Sequence, residues 1–160
     1  MTAVPKRDQR NEFTVEATRL LPVARERVFA CWTRAEHLSH WFGPRRYTVH
    51  SCETDARRGG VFRLCMRSPE GREFWVNGRY AEVVTPERLV IECTATDEHG
   101  AHMLEEVIRV TFTVEGDGTR LILQATAGGS GEKAAKALSG MEQGWSETLD
   151  RLGERAGTGK

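Results

Sequence analysis

The chain has 160 residues with 39% hydrophobic content, enough for one well-buried core and too few for two ordinary domains. Its 23 basic and 23 acidic residues cancel, so no single-sign field is available to draw in nucleic acid or an anionic membrane, and neither is an expected partner. The four cysteines are widely spaced without a C-x-x-C pair, which excludes the usual zinc and dithiol motifs and suits buried, reduced thiols.

The opening "MTAVPKRDQRNE" lacks the apolar core of a signal peptide, and no apolar run approaches the ~20 residues that span a bilayer. The expected location is therefore the cytoplasm. Residues 1–11 and 157–160 are expected to be flexible tails around one domain at 12–156.

"FTVEATRLL" (13–21) mixes β-branched and polar residues in the manner of a strand, and Pro22 closes it. Residues 24–32 place Val28, Phe29 and Trp32 on one face at helical spacing. "TRAE" then has the form of a capping box, with Thr33 and Glu36 exchanging hydrogen bonds at the start of a second helix. Leu38, Trp41 and Phe42, spaced i, i+3 and i+4, share one side of that two-turn helix before Gly43-Pro44 stops it.

From Tyr47 to Ala127 the pattern becomes six short strands separated by turns at 57–60, 68–71, 85–88, 97–101 and 115–119. Pro69 and Pro86 suit the second turn position, while Gly71, Gly116 and Gly118 supply permissive backbone. Connections this short imply antiparallel pairing. Phe62, Leu64 and Met66 alternate with Arg63 and Arg67; Leu89, Ile91 and Cys93 alternate with Glu92 and Thr94; Ile108, Val110 and Phe112 alternate with Arg109 and Thr111. One face of the sheet is thus apolar and the other wet. "EFWVNGRYAEVV" does not alternate cleanly, which suggests a bulge at Gly78.

After "TAGGSG" a helix is expected from about 132 to 155, with Ser130 as its cap. Leu138, Met141, Trp145, Leu149 and Leu152 form a stripe that must be buried. Gly140 and Gly144 interrupt it at roughly 1 kcal/mol each relative to alanine, which suggests close packing beside them.

This order of elements makes an α+β domain. In "RERVFACWTRAEHLSHWFGP" (25–44), "DARRGGVFRLCM" (55–66), "SPEGREFWVNGRYAEVVTPERLVIE" (68–92), "VTFTVEGDGTRLIL" (110–123) and "GWSETLDRL" (144–152) the chain resembles the START-like (SRPBCC) superfamily. Within it, the resemblance is to the activator of Hsp90 ATPase homologue 1-like (AHSA1-like) family. It implies the helix-grip (Bet v 1-like) fold: a curved antiparallel sheet of about seven strands around a long C-terminal helix, with two short helices after the first strand. It also implies a cavity where sheet and helix diverge. It does not name an activity, because such domains include small-ligand binders, cyclase-like enzymes and interaction modules. An Hsp90-type chaperone is not an expected partner, since the eukaryotic co-chaperone carries a separate N-terminal domain and here about a dozen residues precede the first strand.

The expected cavity residues are Trp41, Phe42, Phe62, Leu64, Met66, Trp75, Phe112, Met141 and Trp145, whose flat or adaptable side chains suit an apolar or aromatic ligand. The alternative for each is ordinary core. Glu106 shares the parity of Ile108 and Val110. It is the one carboxylate expected to face inward, as a general acid or a ligand anchor, unless a register shift leaves it or Glu105 in water.

His37 and His40, and His99 and His102, form pairs without a third ligand, so no metal is expected, and no cofactor signature is present. Ser130 and Ser146 lack a nucleophile-elbow context. Arg45 and Arg46 either grip an anionic group at the cavity mouth or are solvated. The leading expectation is non-catalytic binding of a small hydrophobic or aromatic molecule. The alternatives are a cyclase- or hydrolase-type enzyme using Glu106 and a chaperone-associated or other protein-interaction domain, with a homodimer through a sheet edge or apolar patch among its forms.

Overall fold

A computed structural model describes residues 10–158, with side chains to 157. One antiparallel sheet carries the fold, in the order β1-β7-β6-β5-β4-β3-β2. The strands are β1 (Asn11–Leu21), β2 (Thr48–Thr54), β3 (Val61–Arg67), β4 (Glu73–Val84), β5 (Arg88–Thr96), β6 (His102–Glu115) and β7 (Gly118–Gly129). β2 to β7 form the expected meander, and β1 closes against β7. The tails expected at 1–11 and 157–160 lie largely outside the described residues, but Asn11 already pairs with Gly129 and the last helix reaches Thr158.

The helices lie against the apolar face of the sheet. α1 (Arg25–Thr33) buries Val28, Phe29, Cys31 and Trp32. α2 (Ala35–Leu38) is a single turn, shorter than the spacing predicts. The capping box does not form: the Thr33 hydroxyl donates back to the Phe29 carbonyl at 3.1 Å, and Arg34 caps α2 without a side-chain bond. Leu38, Trp41 and Phe42 nevertheless all reach the core, because Trp41 and Phe42 continue as a turn bonded to the Leu38 carbonyl.

The C-terminal helix is divided. α3 (Gly131–Ser139) and α4 (Met141–Thr158) meet at Gly140, which ends α3 at φ −99° and ψ 4°. The buried stripe survives the break in Leu138, Trp145, Leu149 and Leu152. The expected close packing at the two glycines is absent among the described residues: a Cβ at Gly140 would meet nothing, and one at Gly144 would only touch Pro44 at 3.6 Å. Ser130 occupies the N-cap position of α3 but its hydroxyl makes no capping bond.

Gly78 is not a bulge. It pairs in regular register with Phe62 and Cys93, and the irregularity in β4 falls later, between Tyr80 and Glu82. A Cβ on Gly78 would stand 2.2 Å from the Glu92 carbonyl oxygen and 2.5 Å from Cys93 Cβ, so this glycine permits a backbone approach that no other residue allows. Pro86 takes the third rather than the second place of its turn, since Glu87 N bonds to the Val84 carbonyl and the Thr85-Pro86 peptide is cis.

Candidate functional site

The strand register sorts the inward face into transverse rows. Tyr80, Ile91, Ile108, Ala125 and Val15 form one such row, and Leu89, Val110 and Leu123 lie in the next. α1 and α4 cover these rows. Trp32, Trp41 and Phe112 fill the space between, and all are essentially inaccessible to solvent. Polar atoms are mostly satisfied there: Trp41 Nε1 donates to the Cys31 carbonyl at 2.9 Å, and the Tyr80 hydroxyl to the Trp32 carbonyl at 3.0 Å. The indole nitrogen of Trp32 is left unpaired.

Towards the other end the row reads Gly78, Cys93, Glu106 and Ala127, and beside it lie Val76, Ala95 and Leu104. Most of these side chains are small, so the floor stays low where the break at Gly140 redirects α3. A cavity of about 580 Å³ results, within the range of about 300–1,000 Å³ typical of small-molecule sites. Its walls are the turn after α2 (Phe42, Gly43, Pro44, Tyr47), the β3–β4 hairpin (Met66, Phe74, Val76), β6 (Met103, Leu104) and the α3–α4 junction (Ala137, Met141, Trp145, Thr148). Arg72, Asp97, Glu98, Lys133 and Lys136 also border it and supply its charged groups.

Of the residues expected to line it, Phe42, Met66, Met141 and Trp145 do so. Trp41, Phe62, Leu64 and Phe112 are core instead: Trp41 packs on Trp32, Phe62 on Phe42 and Tyr80, and Phe112 on Phe29. Trp75 also borders the cavity, although its ring lies on the other parity of β4. It pairs with Cys65 on the parity of Arg63, whose guanidinium carbon lies 4.1 Å from its ring centroid. Phe74 takes the inward place, opposite Met66. Carrying the alternation of β3 across its hairpin would have found Phe74.

Glu106 faces inward as its parity requires. Its Oε2 accepts a hydrogen bond from Trp145 Nε1 at 3.0 Å, and its other neighbours across the sheet are Cys93 and Ala127. Burial pushes its carboxyl up to about 7, with the Trp145 bond acting in the opposite direction. The residue retains some accessible surface and borders the cavity, so this acid is reachable from within it. Burial and the charge of Glu106 likewise raise the Cys93 thiol well above its ordinary value, leaving it a poor nucleophile.

One wall is pinned by α4. Arg151 Nη1 donates to the carbonyls of Gly43, Pro44 and Tyr47 at 2.9, 3.0 and 3.2 Å, and Nη2 to that of His40 at 3.3 Å. Arg151 thus satisfies a loop whose own backbone groups have few internal partners, and sequence reasoning missed it because its role depends on a segment about a hundred residues away.

Arg45 does not face the cavity; it is exposed and paired with Glu154, and its backbone N–H donates to Glu147. Arg46 is exposed as well, at φ +78°. Among the described residues no three His, Cys, Asp or Glu side chains come together as a metal site. A second depression of about 480 Å³ lies on the wet face of the sheet. Its charged groups include the ion pairs Arg10–Glu105 and Arg79–Glu92.

A curved antiparallel sheet closed by a long C-terminal helix, with two short helices after the first strand, is the helix-grip fold. Residues 22–157 match the family model described as activator of Hsp90 ATPase homolog 1-like protein, and the chain belongs to that family. No curated protein matches it.

Solved structures share the fold. A Rhizobium leguminosarum protein is 20% identical over 94% of this chain and 97% of its own, with a TM-score of 0.79. The AHSA1 protein of Silicibacter pomeroyi is 23% identical over 92% of this chain and 100% of its own, with a TM-score of 0.75. A Nitrosomonas europaea protein is 24% identical over 91% and 94% respectively, with a TM-score of 0.72. Members of the family commonly bind ligands or proteins. No helix among the described residues is long and apolar enough to cross a membrane.

Proposed function

We propose that this domain binds a small, largely apolar or aromatic molecule in the cavity between the sheet and the α3–α4 junction. The observation that carries the reading is the cavity itself: about 580 Å³, walled by Phe42, Phe74, Trp145 and three methionines, with Glu106 among them as a carboxyl that has no cation beside it, unlike Asp97 and Glu98 at the border. Aromatic walls supply area, methionines adapt to ligand shape, and an isolated polar group fixes orientation. Binding without turnover is the simplest use of this arrangement. Glu106 is paired with an indole rather than a base, and the adjacent Cys93 is held as a thiol.

The test is thermal stabilisation by a panel of hydrophobic and aromatic compounds, with Ala137→Trp as the blocking variant. Ala137 borders the cavity from α3 and is half-buried, so a large ring there occupies ligand volume without entering the main core. Ligand at a hundred times its Kd stabilises the native state by about 2.7 kcal/mol, which moves Tm by several degrees. The expected result is a shift with the unsubstituted protein and none with Ala137→Trp. If no compound shifts Tm, or if the variant shifts equally, the cavity is not a binding site.

A further inference from the structure

The same cavity holds information on which polar group its ligand carries, an inference that rests on the binding reading above. The Glu106 carboxyl has one oxygen engaged, Oε2, by the Trp145 indole N–H; its remaining hydrogen-bonding capacity has the cavity within reach. Its neighbours across the sheet are Cys93 and Ala127, and α4 contributes the uncharged Trp145. Among the described residues no lysine, arginine or histidine pairs with it. The cations that border the cavity act elsewhere: Lys133 bonds Asp97, and Arg72 lies 3.6 Å from Glu98. Lys136 is exposed and has no ion pair among the described residues.

A buried acid without a cation is stable as the neutral carboxyl, and a neutral carboxyl is a donor. With its carbonyl oxygen accepting from Trp145, its hydroxyl is available to an acceptor on the ligand. We infer that the cavity selects a molecule bearing a carbonyl oxygen on an aromatic or apolar frame, the oxygen accepting a hydrogen bond from the protonated Glu106 carboxyl. An amine would instead require the ionised carboxylate. A ketone has no such requirement. The rise of the carboxyl to about 7 supports the assignment, since it keeps the donor form populated near neutrality.

The experiment is titration calorimetry with three probes of one shape: acetylnaphthalene, the hydrocarbon isopropylnaphthalene and the amine naphthylethylamine. Each is measured at roughly pH 5.5 and roughly pH 8.5, on either side of the carboxyl's transition. At the lower pH the ketone is expected to bind about tenfold more tightly than the hydrocarbon, the effect of one well-made hydrogen bond. At the higher pH that preference should shrink, because the donor has lost its proton, while hydrocarbon binding stays constant. Glu106→Gln should keep the preference at both pH values through its amide N–H, and Glu106→Leu should abolish it at both while retaining the hydrocarbon.

Equal binding of ketone and hydrocarbon at both pH values overturns the inference and leaves the apolar cavity standing. So does a preference for the amine over the ketone at the lower pH, where the carboxyl carries its proton. Failure of all three probes to bind overturns the binding reading itself.

Discussion

The two ends of the inward face are built from the same alternating strands, yet one is solid and the other hollow. At the solid end, Ile91, Ile108, Val110 and Leu123 stand beneath Trp32, Trp41 and Phe112, whose rings meet edge to face at 4.8 and 6.5 Å from Trp32. At the hollow end the corresponding row is Gly78, Cys93, Glu106 and Ala127. Nothing in the period-2 pattern separates them. The difference lies in side-chain volume summed across four strands, and in a helix that breaks at Gly140 above the smaller row. A domain can therefore concentrate its stability at one end and leave the other available for binding.

That division is open to direct attack. The largest effect is expected from Trp41→Ala, which removes a fully buried ring and its bond to Cys31; about 3–5 kcal/mol of stability should be lost, read by denaturant unfolding. A loss below about 1 kcal/mol would show that the solid end is less tightly packed than its contacts imply.

Glu106→Gln should act next in size, and its effect should depend on pH. The folded-state carboxyl stands above its ordinary unfolded value, so its favourable contribution is fully present below the unfolded value of about 4.5 and is lost as pH rises through about 7. The amide does not ionise, so the variant should gain on the unsubstituted protein at alkaline pH, by on the order of 2 kcal/mol, and show little pH-dependent gain in acid. A pH-independent difference in unfolding free energy would mean that Glu106 is solvated. The smallest change is expected from Met66→Leu at the cavity wall: within about 1.5 kcal/mol in stability, but with an altered ranking of ligands in the thermal-shift panel. If Met66→Leu costs as much as Trp41→Ala, the two ends are energetically one core.

Much of this architecture was legible. Alternation located the meander and put Glu106 inward, and the i, i+3, i+4 spacing put Leu38, Trp41 and Phe42 on one side even though the helix proved to be one turn. The errors have identifiable causes. Thr33 matched a capping box, but its hydroxyl had a competing acceptor in the preceding turn, the Phe29 carbonyl. The stripe from Leu138 to Leu152 crosses Gly140 without losing phase, so periodicity alone did not reveal a break there. The alternation of β4 by itself does not single out Phe74, whose inward facing is fixed by its pairing with Met66 across the hairpin.

Which residues turn inward follows from local pattern, because facing depends on a period of two or of 3.6 and on the turns that interrupt it. Tertiary structure decided which inward residues touch one another and which leave room. Gly78, Cys93, Glu106 and Ala127 become neighbours only through strand register, and Trp145 reaches Glu106 only through the placement of α4 over β6. A core and a cavity share one local pattern. What separates them is volume assembled from distant segments, which no local pattern encodes.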